Sequence, residues 1–106
     1  MSCNRLEFCG EVTKVSELRY TPAGIPILEF SLHHSSQQNE GGMARKVECE
    51  ITAVVIGVLA ERTKELFVGS AVKAVGFLAR RSLNSRQLIL HINQLETILN
   101  EDHHGT

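Results

Sequence analysis

Apolar and polar residues alternate with a period of two along most of this chain, the pattern of strands that bury one face. The first predicted strand covers residues 4–18 and sets Leu6, Phe8, Gly10 and Val12 on one face against Arg5, Glu7, Cys9 and Glu11 on the other. Its alternation slips between Thr13 and Val15, which predicts a bulge where a long strand turns a corner. Pro22, Gly24 and Pro26 punctuate a turn, and the second predicted strand, 27–34, then turns Leu28, Phe30 and Leu32 inward and Glu29, Ser31 and His33 outward. Residues 35–44 are polar and contain Gly41-Gly42, so they are predicted as a long flexible hairpin loop, with Met43 as a mobile loop side chain. In the third predicted strand, 45–56, Val47, Cys49, Ile51, Ala53 and Val55 face the core and Lys46, Glu48, Glu50 and Thr52 face out.

Beyond Gly57 the period changes. Val58, Leu59, Arg62 and Leu66 recur at helical spacing, predicting a short helix over 58–67 that plugs one end of the sheet. The fourth predicted strand, 70–80, buries Val72, Ala74, Gly76 and Leu78; a loop at 81–85 leads to the fifth, 86–99, which buries Leu88, Leu90 and Ile92. Gly10 and Gly76 sit on inward faces, where a glycine weakens a strand unless backbones must approach closely. Both therefore point to a tightly coiled, closed sheet. Five strands with one short helix between the third and fourth is the order of an all-β, five-stranded OB-fold barrel. In that fold the face of strands 2 and 3 and the loops after strands 1 and 4 form a groove for nucleic acid. The expected organisation is one domain over residues 1–100 and a disordered tail at 101–106.

Composition narrows the function. Eleven basic against twelve acidic residues give a net charge of −1, which argues against coating polyanions by bulk charge. The basic residues are nevertheless uneven: Arg80, Arg81 and Arg86 bracket one loop with no acid between them. The absence of Trp, with one Tyr and four Phe, leaves few platforms for stacking on bases. Three cysteines without a Cys-x-x-Cys arrangement indicate neither a disulfide framework nor a zinc site. The neighbours His33-His34 point to opposite faces of a strand, and with His103-His104 they make no metal site. No nucleophile has a plausible base beside it, so an enzyme is not expected, nor is any cofactor. The aliphatic stretch at 53–60 is too short to span a membrane, and a cytoplasmic protein without membrane partners is expected.

The residues also carry a family likeness. Asn4-Arg5-Leu6 with Gly10-x-Val12, Pro22-x-Gly24-Ile25-Pro26, Val68-Gly69-Ser70, Gly76-Phe77 and Leu90-His91 resemble the bacterial primosomal replication protein N (PriB) family of the single-stranded DNA-binding protein superfamily. The likeness spans residues 3 to about 99. It implies a non-catalytic homodimer acting in the restart of stalled replication forks. Its implied partners are single-stranded DNA, the primosomal helicase (PriA) and other primosome loading proteins. Residue by residue, it implies DNA contacts at Arg19 after the first strand and at Arg80, Arg81 and Arg86 around the last loop. Tyr20 and Lys46 join that candidate set as a stacking ring and an outward cation. Pairing through the first strand would place Arg5, Glu7 and Cys9 at the dimer interface. Where family members carry aromatic residues, this chain has Met43 and Glu48, which raises the alternative of a pure interaction adaptor that stimulates the helicase with little DNA binding.

Overall fold

A computed structural model describes residues 2–98. The strands are β1 (Leu6–Val15), β2 (Arg19–Tyr20), β3 (Pro26–Glu40), β4 (Met43–Ile56), β5 (Ala71–Arg80) and β6 (Leu88–Thr97), with α1 (Val58–Arg62) between β4 and β5. They form one sheet in the order β1-β5-β6-β4-β3-β2, and a further β1–β3 pairing closes the five long strands into a barrel. All pairings are antiparallel except β4–β6. This is the predicted OB architecture, and the expected tail at 101–106 lies outside the described residues.

Closure depends on β1 serving two neighbours. Leu6 to Glu11 pair with β5, Glu11 to Val15 pair with β3, and the register shifts between Val12 and Lys14, where the bulge was expected. The two strand glycines stand at the tightest approaches. A Cβ on Gly10 would lie 2.8 Å from the His33 carbonyl oxygen, and one on Gly76 would lie 1.8 Å from that of His91. The core is the inward row of each strand: Val12, Leu28, Phe30, Leu32, Ala53, Val55, Val72, Ala74, Leu90 and Ile92, with Ala60 of α1 beneath.

Several expectations are corrected. Residues 35–44 are not a loop. β3 and β4 pair without interruption from Ile27↔Ile56 to Glu40↔Met43, joined only by Gly41 and Gly42. Both glycines have positive φ (62° and 82°), the geometry of a two-residue turn whose twist matches paired strands. Polarity misled because these residues lie beyond the reach of β1 and β6, in a two-stranded arm with no core to cover. For the same reason Cys49 has core parity yet is exposed. Leu88 is also exposed, at 54%, because β6 begins there at the barrel rim; its neighbour Ile89 is buried instead. The helix is one short turn rather than ten residues, and Val58 and Phe67 are exposed. Arg19 and Tyr20, expected in the loop after the first strand, form the short separate strand β2 against Ile27 and Pro26.

Candidate nucleic-acid interface

Glu29 is the hub of one barrel end. Its backbone is tied to the end of β1: Ser16 donates its N–H and its hydroxyl to the Glu29 carbonyl, both at 2.9 Å. The carboxylate therefore projects outward from a fixed point. Arg81 Nη2 donates to Glu29 Oε2 at 3.1 Å, and Arg19 Nη2 lies 3.9 Å from Oε1. Two arginines from loops far apart in sequence thus meet over one carboxylate, at a shallow hollow of about 480 Å³ that also takes in Ser16 and Leu18. Arg81 is further oriented by Gln87, whose Oε1 accepts from its Nε at 3.0 Å.

Of the other predicted basic residues, Arg80 donates to the Leu83 carbonyl at 2.9 Å and shapes the loop, and Arg86 is exposed on the same loop. Lys46 is not part of this cluster. It pairs across the arm with Gln37, eight residues beyond Glu29 on β3, which at about 3.4 Å per residue sets it about 27 Å away. There it bridges Glu48 at 3.0 Å, a carboxylate that also faces His33 Nε2 at 3.8 Å. Glu50 accepts a 2.6 Å hydrogen bond from the Thr13 hydroxyl. The middle of the β3–β4 outer face is therefore acidic and its barrel end is basic.

Tyr20 does not turn toward the arginines. Its hydroxyl donates to Glu61 Oε2 of α1 at 2.8 Å, and this bond, supported by desolvation and by the nearby negative charge, raises the phenol pKa above its ordinary value.

The sequence reading missed three contributors. Lys14 pairs with Ser31 just past the β1 bulge and shares a small hollow with Glu29 and Thr52, adding a cation to the arginine end. Glu29 was placed outward, but its two arginine partners come together only through barrel closure. Phe77 and His91 lie opposite each other on β5 and β6 with rings stacked at 5.1 Å and 7°.

Arg5, Glu7 and Cys9, the predicted dimer residues, are exposed along the outer side of β1. The alternation of an antiparallel ladder turns the main-chain groups of Glu7 and Cys9 away from β5. On that edge the Cys9 carbonyl accepts from His34 Nδ1 at 2.7 Å, while His34 Nε2 lies 2.8 Å from the Ser36 hydroxyl and its ring packs on Phe8 at 4.7 Å. Among the described residues no three His, Cys, Asp or Glu gather as a metal site, and no helix is long and apolar enough to cross a membrane.

Comparison with known proteins places this geometry. A family model described as another single-strand binding protein family matches residues 4–94. Replication restart protein PriB of Nitrosomonas europaea is 39% identical over 95 residues, covering 90% of this chain and 88% of its own. PriB of Photorhabdus laumondii is also 39% identical, covering 92% and 96%. The solved PriB structure from Ralstonia solanacearum superposes with a TM-score of 0.83 at 36% identity, covering 91% of this chain and 98% of that one. The single-stranded DNA binding protein of Thermus aquaticus shares the fold alone, with a TM-score of 0.77 at 20% identity, 94% of this chain and 52% of that one being covered.

Proposed function

The chain belongs to the single-strand binding protein family, among the relatives of replication restart protein PriB, and on that premise we propose that it binds single-stranded DNA through its arginine end during replication restart. The convergence of Arg19 and Arg81 on Glu29 carries the reading. The loops after the first and fourth barrel strands are the ligand loops of an OB fold, and here each supplies one guanidinium to the same hollow. Free DNA exchanges Glu29 for phosphate as the partner of these arginines, with Lys14, Arg80 and Arg86 as flanking cations. The protein performs no chemistry. It acts by holding DNA and the primosomal helicase together, which raises the effective concentration of each for the other. A cytoplasmic homodimer fits this role. The unpaired main-chain groups around Arg5, Glu7 and Cys9 offer a ladder for a second copy, with His34 capping one acceptor of that edge.

The adaptor reading, helicase contact with little DNA affinity, is favoured by one feature: Glu48 and Glu50 leave the centre of the β3–β4 face without attraction for phosphate. Titrating labelled oligothymidine at increasing salt separates the two. A DNA binder gives a log–log slope near −0.7 per phosphate contacted on a single strand. Absence of binding at low salt, with helicase stimulation retained, would establish the adaptor.

A further inference from the structure

We infer that the stacked rings of Phe77 and His91 form a base-stacking platform for single-stranded DNA beside the arginine cluster. The inference rests on the DNA-binding reading and adds a site to it. Ladder register places the platform: Glu29 pairs with Val54, Val54 with His91, and His91 with Phe77. These four residues make one continuous row across the outer surface. Because the barrel is closed, this row curves round it, and the direct link to the arginines is β5 itself: Phe77 precedes Arg81 by four residues on the same outward alternation, about 14 Å along the strand. A single strand whose phosphates lie on Arg81 and Arg19 can therefore carry its neighbouring bases over the rings.

The rings have the geometry such a platform needs. They are close to parallel, at 7°, with centroids 5.1 Å apart, inside the range of favourable aromatic stacking. His91 takes one side of Phe77, yet the phenylalanine stays 40% exposed on a sheet face, where a lone phenyl ring gains nothing from water. The backbone beneath is fixed, because Gly76 brings β5 against the His91 carbonyl more closely than any side chain would permit. Val54, on the far side of His91 in the row, is 8% exposed although its parity is outward, so the histidine has a packed neighbour there. A base would meet an already ordered surface and would add little ordering cost. The rim favours a nucleotide over an apolar protein segment. The adjoining hollow, about 380 Å³, is lined by Asn93 and Gln94, whose amides suit base edges, and by Arg5, which bridges Glu7 at 3.0 Å.

The chain has no tryptophan, so Phe77→Trp introduces a unique reporter at the site. Oligothymidine is added to this variant while tryptophan emission is followed, and anisotropy of a labelled oligothymidine gives affinities for wild type, Phe77→Trp and Phe77→Leu. Thermal melting verifies that each variant is folded. The platform predicts that emission falls at saturation, and that Phe77→Leu binds roughly tenfold more weakly with an unchanged salt slope, because stacking exchanges no counterions. Unchanged emission at saturation, or wild-type affinity in Phe77→Leu, overturns the platform and leaves the arginine site standing. Failure of the wild-type protein to bind oligothymidine at all overturns both.

Discussion

Replacing Glu29 by glutamine should tighten single-stranded DNA binding, which makes this carboxylate an internal competitor of phosphate. In the free protein Arg81 bridges Glu29 at 3.1 Å and Arg19 approaches it at 3.9 Å, and both must leave it to contact DNA. The pairs are partly exposed, with side-chain exposure of 40% for Arg81 and 63% for Arg19, so screening limits each to about 0.2–1 kcal/mol. Glutamine keeps the shape and removes the charge. Releasing both pairs and removing the repulsion between the carboxylate and incoming phosphate should together gain about 1–2 kcal/mol, roughly five- to thirtyfold in affinity at low salt. Stability should fall by no more than about 2 kcal/mol, the sum of the two pairs, because the backbone of Glu29 is held by Ser16 independently of the carboxylate. The assay is fluorescence anisotropy of labelled oligothymidine across a salt series, with urea denaturation as the control for folding. A folded Glu29→Gln protein that binds no more tightly than wild type would show that these arginines do not meet phosphate from this hollow.

Other outcomes follow from the same geometry. Simultaneous replacement of Arg80, Arg81 and Arg86 by alanine should reduce the magnitude of the salt slope by about 0.7 per lost phosphate contact, while Lys46→Ala, remote on the arm, should change it less than Arg81→Ala alone. The single tyrosine should titrate by ultraviolet absorbance with a midpoint above the ordinary phenol value of 10.0, and Glu61→Gln should bring it back toward that value. Because the folded pKa is the higher one, this contact supports the fold below the unfolded phenol pKa, and its support is lost as pH rises through the folded pKa. Gly76→Ala should destabilise the barrel by about 1–3 kcal/mol or more in urea, since its methyl would overlap the His91 carbonyl and separate β5 from β6.

The barrel was legible because its information is local. Period-two alternation marks which residues of β1, β3 and β5 face inward, and the bulge after Val12 and the glycines at 10 and 76 announce curvature residue by residue. The arm was not legible. Its polar composition matches a loop, and only the positive φ of both Gly41 and Gly42 reveals a tight turn that keeps the flanking strands paired. Cys49 shows the same limit, since parity says which way a side chain points but not whether a core lies there. Arg19 and Arg81 could be named from the loops that carry them. Their meeting on Glu29 joins residues 52 positions apart and exists only once the barrel closes. Phe77 and His91 escaped for a like reason: each is an ordinary strand residue until the β5–β6 register sets one ring upon the other.

Backbone amide chemical-shift mapping during an oligothymidine titration reads directly where the DNA lies. The largest perturbations should gather at Lys14 to Arg19, Glu29, the loop from Arg80 to Gln87, and Phe77 with His91. Perturbations confined to the arm around Met43 and Lys46, or an unperturbed spectrum at saturating oligothymidine, would contradict this placement.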